Sequence, residues 1–565
     1  MTTPSLRREL GLFSATVIVV SGIIGSGIFF TPSEVARQLG DARWILAVWA
    51  VGGLVALAGA LTYAELGAMS PGAGGAYVYI RDAFGRLPAF LYGWMLLTLI
   101  ATGATAAVGV SFGNYVLRLF DVTSHAGSMA IAVGTIVILT TTNCLGIKPG
   151  AIVQNALTIA KTLALSLLIA GGLLLWVRLG NAPPVSTAPL PRESLIAGLS
   201  AAFVPVLFTI GGWQQMNMVA GEIRDPQRGI PRALIFGIAI VITIYLGANA
   251  VYLRALGRDG LAASSAVAAD TVARMAGPIG ATFITATITV SVLGFLNVVI
   301  LTTPRVFYAM AQDGVFLSAA ARVHPVTGAP VISIIVMGAW SILLLLITGG
   351  DIGALLSGVV FADWIFFGLG AASLIALRTS RPDATRPYRV PGYPYVPLLF
   401  VLAACIGIMS SFVSSLRTSL LGTAILVVGV VLFLIAQRIG NRESGNGNRD
   451  EGLGLPMGGS EAANNVQWKA RFPIPDSRFP ITATSPLATP HPPLPRFAGL
   501  PAPDAKAQFG ALPRRRPRPP GLEAVPRPSP KLPIPEGARL AVSPKMDPVP
   551  ATNRLLSRSL VPHRS

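Results

Sequence analysis

The chain has 565 residues, of which 52% are hydrophobic and only 12% charged, and its mean hydropathy is +0.64. Water-soluble domains carry charge on about a quarter of their residues, so this composition excludes an ordinary soluble enzyme or binding module and makes lipid the main solvent. Of the formal net charge of +19, residues 441–565 hold +9 and residues 1–440 hold +10; the positive-inside bias of membrane loops accounts for the latter, so nucleic acid is not an expected partner.

About twelve apolar spans follow one another, each near the roughly 20 residues that a 30 Å hydrocarbon core requires. The first covers Phe13–Gln38; Arg7 and Arg8 precede it, but it is too long for a signal-peptide core and reads as a transmembrane helix. Then come Trp44–Met69, Leu87–Leu119, Met129–Leu145, Ala151–Leu179 and Leu195–Ala220. The second half holds Pro231–Leu253, Pro278–Met310, Val331–Ile347, Ile352–Leu377, Val396–Leu416 and Leu420–Ala436. The expected fold is therefore an all-α integral membrane protein with a short amino-terminal segment (1–12) and a transmembrane domain (13–437). An even number of spans puts both termini on one side. Loops on that side carry Arg81, Arg86, Lys148, Arg224, Arg228, Arg322, Arg378, Arg381 and Arg386 among others, which makes it the cytoplasmic side of a cell membrane.

Composition changes near Gly440. Of the 45 prolines, 24 lie in the last 125 residues, and PRRRPRPPG and RPSPKLPIPEG are polyproline-like. Such a segment cannot bury a core, so residues 441–565 are expected to be a basic, disordered tail.

Two spans contain helix-breaking clusters. The first reads VIVVSGIIGSGIFFTP, with Gly22, Gly25 and Gly27 in its middle and Pro32 beyond. The sixth reads FVPVLFTIGGWQQMN, with Pro205 ahead of Gly211 and Gly212. Each interior glycine costs about 1 kcal/mol of helix stability, and a break frees backbone groups that lipid cannot satisfy. A fresh helix start offers N–H groups to an anion, and the carbonyls before a break suit a cation. Together they fit a zwitterion. The first and sixth spans are also corresponding members of two five-helix halves, the placement expected of a transport site at mid-membrane.

Two charges read as buried within spans. Lys161 is about ten residues into the fifth, roughly 15 Å deep; a charge there costs at least about 2.5–3.5 kcal/mol and needs a partner. Asp363 lies in VVFADWIFFG of the tenth. Glu65, Arg81 and the run Glu222–Arg232 read as helix-end charges with structural or gating roles, worth little as surface pairs. Asn297 reads as glue between helices. Neither Cys144 nor Cys405 has a CxxC or histidine neighbour, so no disulfide, metal site or cofactor is expected. Gly109-Val-Ser-Phe-Gly113 matches the hydrolase GxSxG pattern, but inside an apolar helix it is a small-residue packing face.

At the two breaks the sequence resembles the amino acid–polyamine–organocation superfamily, and within it the L-type amino acid transporter-like branch. The segments that carry the resemblance are GIIGSGIFFTP (Gly22–Pro32), SPGAGGAYVYIRDAFG (Ser70–Gly85), FTIGGWQQMNMVAGEIRDPQRGIPRAL (Phe208–Leu234), TTPRVFYAMAQDGVFL (Thr302–Leu317) and RPDATRPYRVPGYPYVPLL (Arg381–Leu399). It covers about residues 10–437.

The resemblance implies a leucine-transporter-like core of five plus five inverted helices, two further helices, and secondary active transport of amino acids by alternating access. A membrane amino acid sensor that binds without transporting is the alternative. The resemblance further implies that the substrate carboxylate meets backbone N–H groups of Gly25, Ser26 and Gly27, and the ammonium meets carbonyls of Ile23, Phe208 and Gly211. Phe208 also matches a gating aromatic. Lys161 maps to the place where related carriers hold sodium, so no sodium requirement is expected; a lysine that sheds its proton would instead couple transport to protons. Proton symport and amino acid exchange both remain open. Asp363 stands where many relatives carry asparagine, near the distal end of the substrate; it would select a basic or polar side chain, take part in proton coupling, or bond a neighbouring helix. Phe295 replaces a small residue and would narrow the pocket.

Overall fold

A computed structural model describes residues 6–179, 195–352, 359–414 and 416–450. The described chain is helical apart from one parallel bridge pair, Leu10 with Ile223. The first half comprises α1 (Leu12–Ile23), α2 (Thr31–Gln38), α3 (Ala42–Met69), α4 (Ala76–Phe84), α5 (Arg86–Met95), α6 (Ala101–Arg118), α7 (His125–Cys144) and α8 (Ile147–Leu179). A π-helical turn, Leu96–Ile100, joins α5 to α6 into one length. Next come α9 (Leu195–Thr209), α10 (Gln215–Met218), α11 (Pro226–Ala263), α12 (Val267–Ala276), α13 (Pro278–Thr302) and α14 (Pro304–Gln312). The last are α15 (Val331–Ile347), α16 (Val359–Ser380), α17 (Tyr395–Ser414) and α18 (Leu416–Asp450).

Nine described helical lengths are long and apolar enough to cross a membrane, and α1, α9 and α15 are shorter apolar helices. Local chemistry sets the ends. Asp41 caps α3 by accepting the Arg43 N–H at 2.8 Å, and Ser124 caps α7 through the Gly127 N–H at 3.0 Å. Pro226 and Pro304 stand in first turns, where a missing N–H is harmless.

The distribution of polarity is that of a protein in lipid. Leu163, Leu167, Leu174, Ile138 and Ile347 are exposed, whereas Ser21, Asn143, Gln154, Lys161, Asn249 and Asn297 are wholly buried. Exposed leucines at this density would make a soluble protein aggregate; against hydrocarbon they cost nothing. Both cysteines are free. The Gly109–Gly113 face packs on α7: a Cβ at Gly113 would lie 2.3 Å from the Ser128 carbonyl, and the Ser111 hydroxyl donates to its own helix, at Ala107 O.

Three readings need correction or restriction. The eighth span is one membrane-crossing length, Thr282–Gln312, interrupted locally at Thr303 between α13 and α14, because Pro304 has no N–H to donate into the preceding turn. The last helix does not stop near Gly440 but runs to Asp450, ten residues into the segment read as disordered. No proline occurs before Pro456 there, and extending an existing helix costs far less than starting one. The rest of that tail, residues 451–565, lies outside the described residues, as do residues 353–358 of the tenth span.

The third correction concerns the helix-end charges. Glu65 and Glu222 are not surface groups; both side chains are fully buried. Glu222 receives Arg305 Nε at 2.7 Å and Nη2 at 3.2 Å, with Arg305 equally buried. The amino-terminal strand seals this pair: Leu10 N–H donates to Glu222 O, and Arg224 N–H donates to Leu10 O. Glu65 accepts from Arg378 at 2.9 and 2.5 Å and from the Val390 N–H at 2.6 Å, with Arg386 at 3.4 Å. Arg81, by contrast, is partly exposed, between Asp82 and Asp313.

Removing one partner of a buried ion pair strands the other and costs about 3–5 kcal/mol, whereas apolar replacement of both is close to neutral. Arg305→Leu should therefore lower the heat-unfolding midpoint of the detergent-solubilised protein sharply, and the double change Glu222→Leu with Arg305→Met should recover most of it. An unaltered midpoint in the single variant would show that the pair is dispensable.

Candidate functional site

The helix starting at Leu12 stops at Ile23 because the glycines beyond it favour other conformations over the helix. Ile24 is extended (φ −75°, ψ 90°), and its N–H makes the last helical bond, to Val20 O at 2.8 Å. The chain then forms a short 3-10 turn at Gly27–Phe29 before α2 begins, with Pro32 in its first turn. The second interruption follows Pro205. The α9 helix ends at Thr209, Gly212 takes φ +102°, a region that favours glycine, and a single turn resumes at Gln215–Met218.

The two interruptions touch through their backbones. A Cβ at Gly22 would lie 2.5 Å from Gly212 O, and one at Gly212 would lie 2.0 Å from Gly22 O. Neither position has room for a methyl group. Nearby, the Thr31 and Thr209 hydroxyls bond at 2.7 Å, and a Cβ on Gly27 would meet the Thr209 side chain at 2.7 Å.

Surrounding helices satisfy the carbonyls at the first interruption. Lys161 of α8 is wholly buried and donates to Ser21 Oγ at 2.8 Å, to Ser21 O at 3.3 Å and to Ile24 O. Ser291 of α13 donates to Gly25 O at 2.8 Å. Tyr245 of α11 places its hydroxyl 3.1 Å from Ile23 O and 3.4 Å from Thr209 O, against both interruptions at once. Behind Lys161 runs a polar chain: Asn143 donates to Asn297, Asn297 to Gln154, and Gln154 to Ser21. Asn297 thus joins α7, α8 and α13, the glue expected of it.

The N–H side is different. Among the described residues, nothing accepts from the N–H groups of Ser26 and Gly27, and both residues line a cavity of about 200 Å³. That volume is below the roughly 300–1,000 Å³ of drug-sized pockets and suits one small solute. Ile23, Gly25, Phe208, Gly211 and Asp363 line the same cavity, so every expected substrate residue meets there; Lys161 does not line it but stands behind α1. The individual groups are unequal. Gly25 turns its N–H back to Ile23 O at 2.9 Å, and Phe208 O already accepts from Gly211 N–H at 3.1 Å. Gly211 O has no protein donor among the described residues.

The rest of the wall is aromatic. Phe208 is 47% exposed, and Phe295, Tyr92, Trp364 and Phe367 complete the enclosure. Asp363 neither hydrogen-bonds nor ion-pairs with any described residue. No cluster of three His, Cys, Asp or Glu side chains able to hold a metal ion occurs among the described residues.

Sequence reading overlooked Tyr245, Ser21, Gln154, Ser291 and Arg305. A signal existed for two: Tyr245 and Asn249 are a polar-tipped pair four residues apart in an otherwise apolar run, and Arg305 is a charge within the Pro278–Met310 span. The serines gave none, because hydroxyls in membrane helices ordinarily bond their own backbone.

Residues 10–435 match the family model described as amino acid permease. Among curated relatives, the b(0,+)-type amino acid transporter 1 of Mus musculus is 30% identical over 436 residues, 77% of this chain and 88% of the relative. The cystine/glutamate transporter of Homo sapiens is 31% identical over 434 residues, 76% and 85% of the two chains. The large neutral amino acids transporter small subunit 2 of Mus musculus is 33% identical over 441 residues, 76% and 81%. A match over the whole described membrane region, with transporters and not enzymes as relatives, places the chain: it belongs to the amino acid permeases of the amino acid–polyamine–organocation superfamily, in the L-type transporter-like branch.

Proposed function

We propose that this permease carries amino acids across the cell membrane by alternating access, holding the substrate backbone at the two helix interruptions. The unpaired N–H groups of Ser26 and Gly27 carry this reading. Unsatisfied donors at a helix start attract an anion, and a substrate carboxylate supplies one. The free Gly211 carbonyl faces the same cavity and suits the substrate ammonium, with Ile23 O and Phe208 O as further acceptors once their present donors shift. Phe208 closes over the bound solute. Twelve spans, arranged as five plus five inverted helices and two more with both termini cytoplasmic, are the architecture that fits this scheme; α1 with α2, and α9 with α10, are its first and sixth members.

In its protonated form Lys161 supplies a positive charge to the carbonyls of the first interruption. The ammonium takes the place an alkali cation would need, so transport runs without sodium. Two coupling modes fit: proton symport using Lys161 or Asp363, and exchange of one amino acid for another.

The reading is tested with purified protein in liposomes. Amino acid uptake should be unchanged when choline replaces sodium. Uptake into empty vesicles under an imposed pH gradient, set against uptake into vesicles preloaded with amino acid, separates the coupling modes; an absolute need for preloading rejects symport. A substrate amino acid should compete at least tenfold better than the amine that lacks its carboxylate. Equal competition would remove the role given to Ser26 and Gly27.

Gly212→Ala puts a methyl group where Gly22 O now lies and a Cβ at positive φ. It should cut uptake at least tenfold at matched amounts of inserted protein; normal flux would show that the two interruptions need not touch. Deleting residues 451–565 should leave the uptake rate within about twofold, because the family match ends at residue 435. A dead truncation would give the tail a part in transport.

A further inference from the structure

We infer that Asp363 receives a cationic side chain, so that the transported class is amino acids bearing a second amine, such as lysine and ornithine. The inference rests on the cavity between the interruptions being the substrate site. Asp363 lines that cavity from α16, and no described residue gives its carboxylate a hydrogen bond or an ion pair. The two wholly buried acids are treated differently: Glu65 is matched by Arg378 and Arg386, and Glu222 by Arg305.

Among the described residues, no lysine or arginine lines the cavity. Lys161 cannot serve as the counter-ion, because its ammonium is already committed to Ser21 and Ile24 on the far side of α1. A charged carboxylate held largely away from water is stabilised by a neighbouring positive charge. A neutral zwitterion satisfies its own two poles at the interruptions and leaves Asp363 uncompensated. A substrate with an additional ammonium carries one net positive charge and cancels it. The wall around Asp363 favours the same guest: Tyr92, Trp364 and Phe367 present aromatic rings, whose faces attract cations.

The test uses the full chain in liposomes preloaded with the twenty unlabelled amino acids, and in parallel empty liposomes under a pH gradient, so that the coupling mode does not bias the result. Labelled L-lysine, L-ornithine and L-leucine are offered. Wild-type uptake of lysine and ornithine should exceed that of leucine at least tenfold. Asp363→Asn should shift the lysine-to-leucine ratio at least tenfold towards leucine, and Asp363→Glu should restore part of it. Leucine uptake without lysine or ornithine uptake in the wild type overturns the inference and leaves amino acid transport standing. A parallel loss of lysine and leucine in Asp363→Asn, with the ratio unchanged, also overturns it. Failure to move any of the twenty amino acids overturns the proposed function itself.

Discussion

Backbone groups in a membrane interior have no water to bond, and this requirement governs the centre of the molecule. Where α1 and α9 stop, carbonyls and N–H groups lose their helical partners, and the fold treats the two kinds differently. The carbonyls of Ser21, Ile23, Ile24 and Gly25 are met by Lys161, Tyr245, Ser291 and a local turn. The N–H groups of Ser26 and Gly27 are left facing a cavity. An asymmetry of this kind is what a site for an anionic group requires: the negative ends of the peptide dipoles are neutralised by protein, and the positive ends stay available.

The same economy of charge runs outward from the site. Lys161 is held by a continuous polar chain through Ser21, Gln154, Asn297 and Asn143, each member on a different helix from the next. Such a network is costly when partly satisfied and rigid when complete, so it fixes the register of α1, α7, α8 and α13 around the first interruption. Further along, Glu222 and Arg305 lock the segment after the second interruption, under the strap formed by Leu10. Asp363 stands apart from this scheme because the described protein leaves it without a partner.

Much of this was legible in the residues. Apolar runs of span length gave the helices, and Gly22, Gly25, Gly27, Pro205, Gly211 and Gly212 marked the interruptions, because glycine and proline act on the backbone locally. Lys161 was visible as a charge too deep to reach an interface. What could not be read was which groups meet. That Gly22 faces Gly212, that Ile23 O is already taken by Tyr245, and that Glu65 and Glu222 are enclosed all depend on contacts between segments distant in sequence. The continuation of α18 to Asp450 was missed for a different reason: a polar composition suggests disorder, but a long preceding helix lowers the cost of adding turns.

The contact between Gly22 and Gly212 has a mechanical consequence. Packed side chains interlock, and moving them past one another requires rotamers to change together. Here two bare stretches of main chain meet with no side chain between them. At this point of contact no side chain keeps the two segments apart, and the bonds beside it, from Tyr245 to Ile23 O and Thr209 O and between the Thr31 and Thr209 hydroxyls, hold them together. One of the closest approaches in the described protein thus joins main chain to main chain, and only glycine can stand on either side of it.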